Sequence, residues 1–212
     1  MSAKILFSIV ICCFMIFHKT HATSENEFAE DAFPIYSNED PKDIQLMIKI
    51  SNMLDNKQYD DARKILEGAI ASEPNNANIY FMLGILEEYL ENYDAALANY
   101  RKAVDLEPSN AQYQYNVGRS LCNKAYALDD AATKLSQDEY QSIRDNQVNP
   151  LFREAAGYHE EAYKLNPDEM HDALVYLNNV YYNLNDEANL RRIKNLRNKL
   201  SEIQKHQKHY KH

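Results

Sequence analysis

The sequence predicts an all-α fold, an α-solenoid built from stacked antiparallel helix pairs. Three observations predict it. Apolar residues recur at helical spacing from residue 41 onward, a set of small and aromatic residues returns after 34 residues, and proline ends successive segments at one point of the repeat. A helix that presents alanines around one aromatic residue buries little surface alone, so each pair needs its neighbours to complete a core.

The first 22 residues are predicted to be a signal peptide. Lys4 precedes the thirteen-residue, mostly apolar run 5–17, which is too short to span a bilayer, and residues 20–22 form a plausible cleavage site. The alternatives are an uncleaved anchor and a buried core helix. Cleavage would give an exported chain, periplasmic or secreted, in which Cys122 is the single cysteine and no internal disulfide can form.

Residues 23–40 are predicted to be an acidic flexible leader, because they carry six acidic side chains among polar residues and no sustained period. Phe28, Phe33, Ile35 and Tyr36 either dock loosely on the following helices or are incidental in a disordered segment. The formal net charge of the chain is −9. That charge repels phosphate backbones and anionic lipids, so we expect no nucleic-acid partner and no stable membrane insertion after cleavage.

The helix pairs begin at residue 41. Apolar residues of the first helix lie on one face, and Tyr59 to Ser72 forms a second helix before Pro74. A shift of 34 residues gives nine identities at packing positions: Tyr59 on Tyr93, Asp60 on Asp94, Ala62 on Ala96, Ala69 on Ala103, Glu73 on Glu107, Pro74 on Pro108, Asn76 on Asn110, Ala77 on Ala111 and Gly84 on Gly118.

This pattern resembles the tetratricopeptide repeat family, whose units pair Leu-Gly in the first helix with Ala, an aromatic residue, Ala and a closing Pro in the second. The clearest match is carried by Leu83, Gly84, Ala96, Tyr100, Ala103 and Pro108. The resemblance implies a right-handed solenoid over residues 41–204, with about four units at about 43–76, 77–110, 111–168 and 169–204.

Two glycines stand inside predicted helices. Gly84 and Gly118 each cost about 1 kcal/mol relative to alanine in a helix interior. The repetition of this cost at one repeat position predicts that the following helix approaches the glycine closely.

The third unit contains 25 extra residues. Its second helix matches the preceding unit at an offset of 59, through Ala155, His159, Ala162, Leu165 and Pro167. The insertion is predicted to prolong the first helix to Thr133, to use Ser136 and Glu139 as a capping box, and to close with Asn149-Pro150 as the start of the late helix. It is either a solvated surface extension or a neighbour of a binding face.

The fourth unit, 169–204, has the features of a terminal cap. Leu177 replaces the glycine, no proline closes the unit, and one apolar stripe lies beside many charged residues. The tail 205–212 is basic and rich in histidine. His206 and His209 suggest metal binding, but a solvated end is the better interpretation, because no carboxylate or cysteine lies at ligand spacing.

The sequence offers no catalytic constellation. It lacks a Gly-rich phosphate loop, Gly-x-Ser-x-Gly and His-Glu-x-x-His, and after signal cleavage it has no Cys-x-x-Cys. His159 precedes two glutamates but occupies the aromatic packing slot of its helix. We predict that the protein is not an enzyme and has no catalytic residue, no cofactor and no metal site.

The resemblance places the first helix of each pair on a concave surface. The candidate partner-binding residues there are Phe81, Ile85, Glu88, Tyr89, Tyr115, Arg119, Asn123, Asn178, Tyr181 and Tyr182. Tyrosines give large contact area at low entropic cost, and Arg119 can grip a carboxylate with two hydrogen bonds, which suits an extended peptide. We expect about half of the aromatic residues to be buried instead. The carboxylate clamp of some family members is not matched, since Ser51 and Met82 stand where it needs asparagine.

These features predict an exported, non-catalytic scaffold that binds a protein or peptide of unknown identity through its concave surface. The alternative is an accessory solute- or glycan-binding component of a cell-envelope complex, favoured by the same tyrosines with Arg119 and the asparagines. An enzyme is the least supported interpretation.

Overall fold

The computed structural model describes residues 40–209, with side chains to residue 202. The predicted signal peptide, residues 23–39 of the leader, the last three residues and the side chains of His206 and His209 lie outside the described part. Between residues 40 and 209 the chain forms helices and no strand: α1 Pro41–Asp55, α2 Tyr59–Ser72, α3 Ala77–Tyr89, α4 Tyr93–Leu106, α5 Ala111–Ala132, α6 Gln137–Ile143, a π turn Arg144–Val148, α7 Asn149–Leu165, α8 His171–Asn183 and α9 Glu187–His209. None of these described helices is both long and apolar enough to cross a bilayer.

The described chain falls into two compact units that meet between Asn52 and Met53. The first contains most of α1, whose start is fixed by the Asp40 carboxylate, which accepts a hydrogen bond from the Lys42 N–H at 2.9 Å. The second contains α2 to α9. In it α3 pairs with α4, α5 with α7 and α8 with α9, and adjacent pairs pack on one another. This unit is the all-α solenoid of helix pairs that the sequence predicts.

The turns inside three pairs have one geometry. Lys57, Glu91 and Asn185 adopt positive φ values of 59°, 58° and 54°, respectively. In each turn the next N–H bonds back to a carbonyl five residues earlier, as Asn92 does to Glu87 at 2.9 Å. This is a Schellman ending, which normally uses glycine. Because none of these three residues is a glycine, a search of the sequence for helix-ending glycines does not find these turns.

The predicted close approach at the two glycines is confirmed. A Cβ on Gly84 would lie 2.5 Å from Cδ1 of Tyr100, and one on Gly118 would lie 2.8 Å from Nε2 of His159. Both rings are fully buried. The rings in the aromatic slots of α4 and α7 therefore lie directly on the glycines of α3 and α5, where a larger residue would not fit.

The insertion follows its prediction in two respects. Helix α5 runs on to Ala132, and the side chain of Glu139 accepts hydrogen bonds from the Ser136 N–H at 3.1 Å and the Ser136 hydroxyl at 2.6 Å, which caps α6.

The late helix α7 begins at Asn149 with Pro150 in its first turn, as predicted, but Asn149 is itself helical and does not cap it. The chain stays helical from α6 through the π turn into α7. Pro150 lacks an N–H, and its ring crowds the preceding turn of an α-helix. A π turn widens the backbone just before the proline, so the helix continues without a break.

Arg144 ties the insertion to the repeats. Its guanidinium donates to the Asp129 carboxylate at 3.2 Å, to the Tyr140 hydroxyl at 3.1 Å and to the Asn183 carbonyl at 3.0 Å. These partners lie on α5, α6 and the end of α8. This partly buried side chain therefore helps to fix the insertion to the third and fourth units.

Candidate functional site

Glu88 is the centre of a hydrogen-bonded cluster formed by residues of α3, α4 and α5. Its carboxylate is 11% exposed. Oε2 accepts from Arg119 Nη2 at 2.7 Å and from the Tyr100 hydroxyl at 2.8 Å, and Oε1 accepts from Asn123 Nδ2 at 2.7 Å. Arg119 and Asn123 are four residues apart, so both lie on one face of α5. We call Glu88, Tyr100, Arg119 and Asn123 the Glu88 cluster; three of its four members are predicted site residues.

The contacts in this cluster fix the protonation states of Arg119 and Tyr100. Burial would lower the pKa of Arg119, but the attraction of Glu88 outweighs it and the pKa is raised. Burial, followed by the charge of Glu88, raises the pKa of Tyr100 well above its ordinary value. Arg119 is thus charged and Tyr100 protonated at any physiological pH. Because the charge of Glu88 balances that of Arg119, the site is close to neutral. Arg119 is predicted to bind a partner's carboxylate, but in the structure it binds a carboxylate of the protein itself.

A second group, the aromatic cluster, consists of Tyr115, His159 and Tyr176. The Tyr115 ring contacts His159 at 5.5 Å and Tyr176 at 5.7 Å between centroids, both edge to face, and His159 stacks on Tyr176 at 4.8 Å. Burial raises the pKa of both tyrosines. The cluster joins α5, α7 and α8 next to Arg119, whose charge acts on all three rings.

The predicted site residues differ in exposure. Phe81 is 2% exposed and packs between the rings of Tyr100 and Tyr113, so it belongs to the core and presents no surface. Tyr181 is 7% exposed and donates its hydroxyl to Glu160 at 2.5 Å. Ile85, Tyr115, Arg119, Asn123 and Asn178 are half-buried. Contact of these residues with a partner stays a prediction.

Two predicted residues are freely accessible. Tyr89 is 59% exposed and Tyr182 is 71% exposed. They occupy equivalent positions of their units, since offsets of 34 and 59 relate Tyr89 to Asn123 and Asn123 to Tyr182. One repeat position therefore carries an exposed tyrosine, a half-buried amide and another exposed tyrosine. We call these three residues the Tyr89 row.

Sequence reasoning missed the polar role of Tyr100. The sequence predicts only a packing role for this residue, which its fully buried ring confirms, yet its hydroxyl also donates a hydrogen bond to the Glu88 carboxylate. The available signal was the choice of tyrosine instead of phenylalanine at a buried slot, because a buried hydroxyl normally has a partner. Tyr176 was missed because it stands at a position that leucine or valine fills in the two preceding units.

His159 is buried and neutral. Neither ring nitrogen has a hydrogen-bond partner among the described residues. Burial, followed by the charge of Arg119, lowers the pKa of His159 to about 3, with the Gly118 backbone offsetting part of the effect. This supports the expectation that His159 packs in the aromatic slot.

Acid is therefore expected to destabilise the fold through His159. Its pKa is about 3 when folded and 6.5 ordinarily. The unfolded chain takes up the proton first, so the contribution of His159 to stability is fully present above pH 6.5 and is lost as pH falls toward 3, by about 2–3 kcal/mol at pH 4.5. His159→Phe should remove this part of the loss, as measured by urea denaturation at pH 7 and at pH 4.5. The matched control is His171→Gln. An equal loss in His159→Phe and in the unaltered chain contradicts the assignment.

Comparison with known proteins identifies the repeats. A family model described as tetratricopeptide repeat matches residues 53–111 and 81–141. Superkiller complex protein 3 of Mus musculus is 28% identical over 126 residues, which are 57% of this chain and 8% of that protein. Tetratricopeptide repeat protein 37 of Xenopus laevis is 34% identical over 68 residues, or 32% of this chain and 4% of that protein. The chain thus spans less than a tenth of the length of these relatives.

Solved structures with similar folds include two bacterial proteins. The Thermobaculum terrenum O-GlcNAc transferase mutant is 19% identical, with a TM-score of 0.42, and the match covers 69% of this chain and 23% of that one. The Yersinia enterocolitica type III secretion chaperone SycD, in complex with a peptide of the translocator YopD, is 14% identical, with a TM-score of 0.46, and the match covers 76% of this chain and 98% of that one.

Proposed function

Because this chain is a tetratricopeptide repeat protein, we propose that it is an exported, non-catalytic scaffold that holds an extended segment of a partner protein along its first helices. The observation that carries the proposal is the Tyr89 row, with two exposed tyrosines at equivalent positions on α3 and α8 and the Asn123 amide between them in the repeat. Exposed tyrosines are common anchors of protein interfaces.

The chemistry near Tyr89 favours recognition of a main chain over recognition of a charge. Although Tyr89 is exposed over more than half of its surface, its partial burial, followed by the charge of Asp55, raises its pKa, and Arg119 lowers it in part. Tyr89 therefore lies within the field of the Glu88 cluster. Arg119 is neutralised by Glu88, while the half-buried Asn123 and Asn178 carry amides that both donate and accept. An extended segment can bond to such amides through its backbone and place apolar side chains against the tyrosines.

Export is supported by the sequence of residues 1–22. Under this proposal the partner lies in the periplasm or outside the cell. The basic start, short apolar run and small-residue site of that segment are the features of a cleaved signal. If this part of the proposal holds, the chain recovered from its native host begins at Thr23. A chain that retains Met1 would refute it.

Binding can be tested with peptides selected from a displayed random library on the purified chain. Tyr89→Ala combined with Tyr182→Ala should weaken the tightest selected peptide at least about tenfold, or about 1.4 kcal/mol, because both anchors are lost. Calorimetry gives the affinity. The control is Leu135→Ala, which removes a similarly exposed apolar side chain from the loop before α6.

Two outcomes contradict the proposal. One is an unchanged peptide affinity in the double variant. The other is a library that yields no binder while a glycan array does, which would favour the solute- or glycan-binding alternative.

A further inference from the structure

The last helix has the opposite charge to the rest of the chain. Helix α9 contains seven Lys or Arg residues and two Glu residues in 23 positions, which gives it a charge of +5. The whole chain carries −9, so the remainder carries −14. The protein is therefore strongly polarised, with its positive charge concentrated on one helix.

Three of these cations form a stripe. Arg191, Lys194 and Arg197 are spaced three residues apart, so their side chains lie along one side of α9, and all three are exposed. Arg191 pairs with Glu187 of its own helix at 3.1 Å. For Lys194 and Arg197, residues 40–202 provide no ion-pair partner. We call Arg191, Lys194 and Arg197 the basic stripe.

Some other cations of the chain have an acidic partner among the described residues. Lys64 pairs with Asp61, and Lys164 pairs with Glu161 at 3.0 Å, each within one turn of its helix. Arg101 pairs with Glu154 of a neighbouring helix. Pairing alone does not distinguish the basic stripe, because exposed lysines such as Lys49 and Lys134 also have no ion pair among residues 40–202. The stripe differs in placing three exposed cations in a row on one side of a helix, in a chain whose remainder is acidic.

A terminal cap needs a polar outer face, but it does not need three cations in a row. Like charges three residues apart on a helix destabilise it by a few tenths of a kcal/mol per pair. The helix dipole favours cations only in the last turn, whereas the stripe lies in the N-terminal half of Glu187–His209. The packing of α9 is provided by Ile193, which is fully buried, and Leu196, which is half-buried. Arg197 lies at the border of this packed face, four residues after Ile193, and stays exposed. Solubility is not improved either, because cations reduce the net charge of an acidic chain.

We propose that the basic stripe of α9 binds an acidic segment of a partner protein, at a surface separate from the Tyr89 row. The stripe is about 9 Å long, from a rise of 1.5 Å per residue. A short segment with two or three carboxylates matches that length and can pair with Lys194 and Arg197. A long polyanion such as a nucleic acid, or an anionic bilayer, extends past the stripe and meets the acidic remainder of the molecule, which repels it.

The test uses the whole chain and a fluorescein-labelled peptide of about twelve alternating Glu and Ser residues, followed by fluorescence anisotropy. Binding is expected in about 20 mM NaCl and should weaken at least about tenfold in 300 mM NaCl, because salt screens exposed charges. The triple variant Arg191→Glu, Lys194→Glu and Arg197→Glu should lose at least about tenfold in affinity. The milder pair Lys194→Gln and Arg197→Gln, which keeps good helix formers, should lose about threefold or more.

The control makes the same change in net charge elsewhere. Lys49→Glu, Lys64→Glu and Lys134→Glu replace exposed lysines on α1, α2 and the loop before α6, and this variant should bind the peptide almost as well as the unaltered chain. Circular dichroism checks that every variant is folded. Equal affinities of the triple variant and the control overturn the proposal. Tighter, stripe-dependent binding of an oligothymidylate or of phosphatidylserine vesicles than of the peptide also overturns it.

Discussion

Gly84→Ala is expected to destabilise the protein by about 2–3 kcal/mol, although alanine is the better helix former. The new methyl group would lie 2.5 Å from Cδ1 and 2.6 Å from Cε1 of Tyr100. The ring has little freedom to retreat, because it is fully buried and its hydroxyl is bonded to Glu88. Urea denaturation followed by circular dichroism measures the change.

The chain offers a matched control at Gly68. That glycine is exposed in α2, and a Cβ there would meet no atom within 4 Å. Gly68→Ala should therefore stabilise the protein by up to about 1 kcal/mol, through helix propensity alone. Opposite signs at two helical glycines are the signature of the close approach. A Gly84→Ala variant as stable as Gly68→Ala would show that the Tyr100 ring moves aside.

Glu88→Ala is expected to cost about 2–4 kcal/mol. It leaves Arg119, Tyr100 and Asn123 without their common acceptor in a partly buried site, and removing one partner of such a cluster costs more than the net value of its bonds. Arg119→Ala should cost less, about 1–2 kcal/mol, because Glu88 keeps two of its donors. Urea denaturation of both single variants and the double variant gives the coupling between the two residues.

Arg101→Ala provides the comparison for this second prediction. Arg101 and Glu154 form an ion pair at 2.5 Å, but both side chains are more than two-fifths exposed. Solvent screens such a pair, so its loss should cost less than about 1 kcal/mol. If Glu88→Ala costs no more than Arg101→Ala, the Glu88 cluster does not stabilise the fold.

The insertion contains some features that can be predicted from the sequence and others that cannot. The prolonged α5 and the Ser136 cap depend on neighbouring residues and follow from local rules. The π turn and the bonds of Arg144 to Asp129 and Asn183 do not. They depend on how packing positions residues that are 15 and 39 positions away in the sequence. No local sequence pattern contains that information.

The sequence by itself determined the helix pairs, their period and the packed slots of Gly84, Gly118, Tyr100 and His159. These features are set by periodicity and residue size, which are legible along one helix. Only the tertiary structure decided which candidate residues are accessible. It buried Phe81, exposed Tyr89 and Tyr182, and gave Arg119 an internal partner 31 residues away. The physical reason is that helical spacing fixes the face on which a side chain lies, whereas its depth and its partners depend on how closely the neighbouring helices pack.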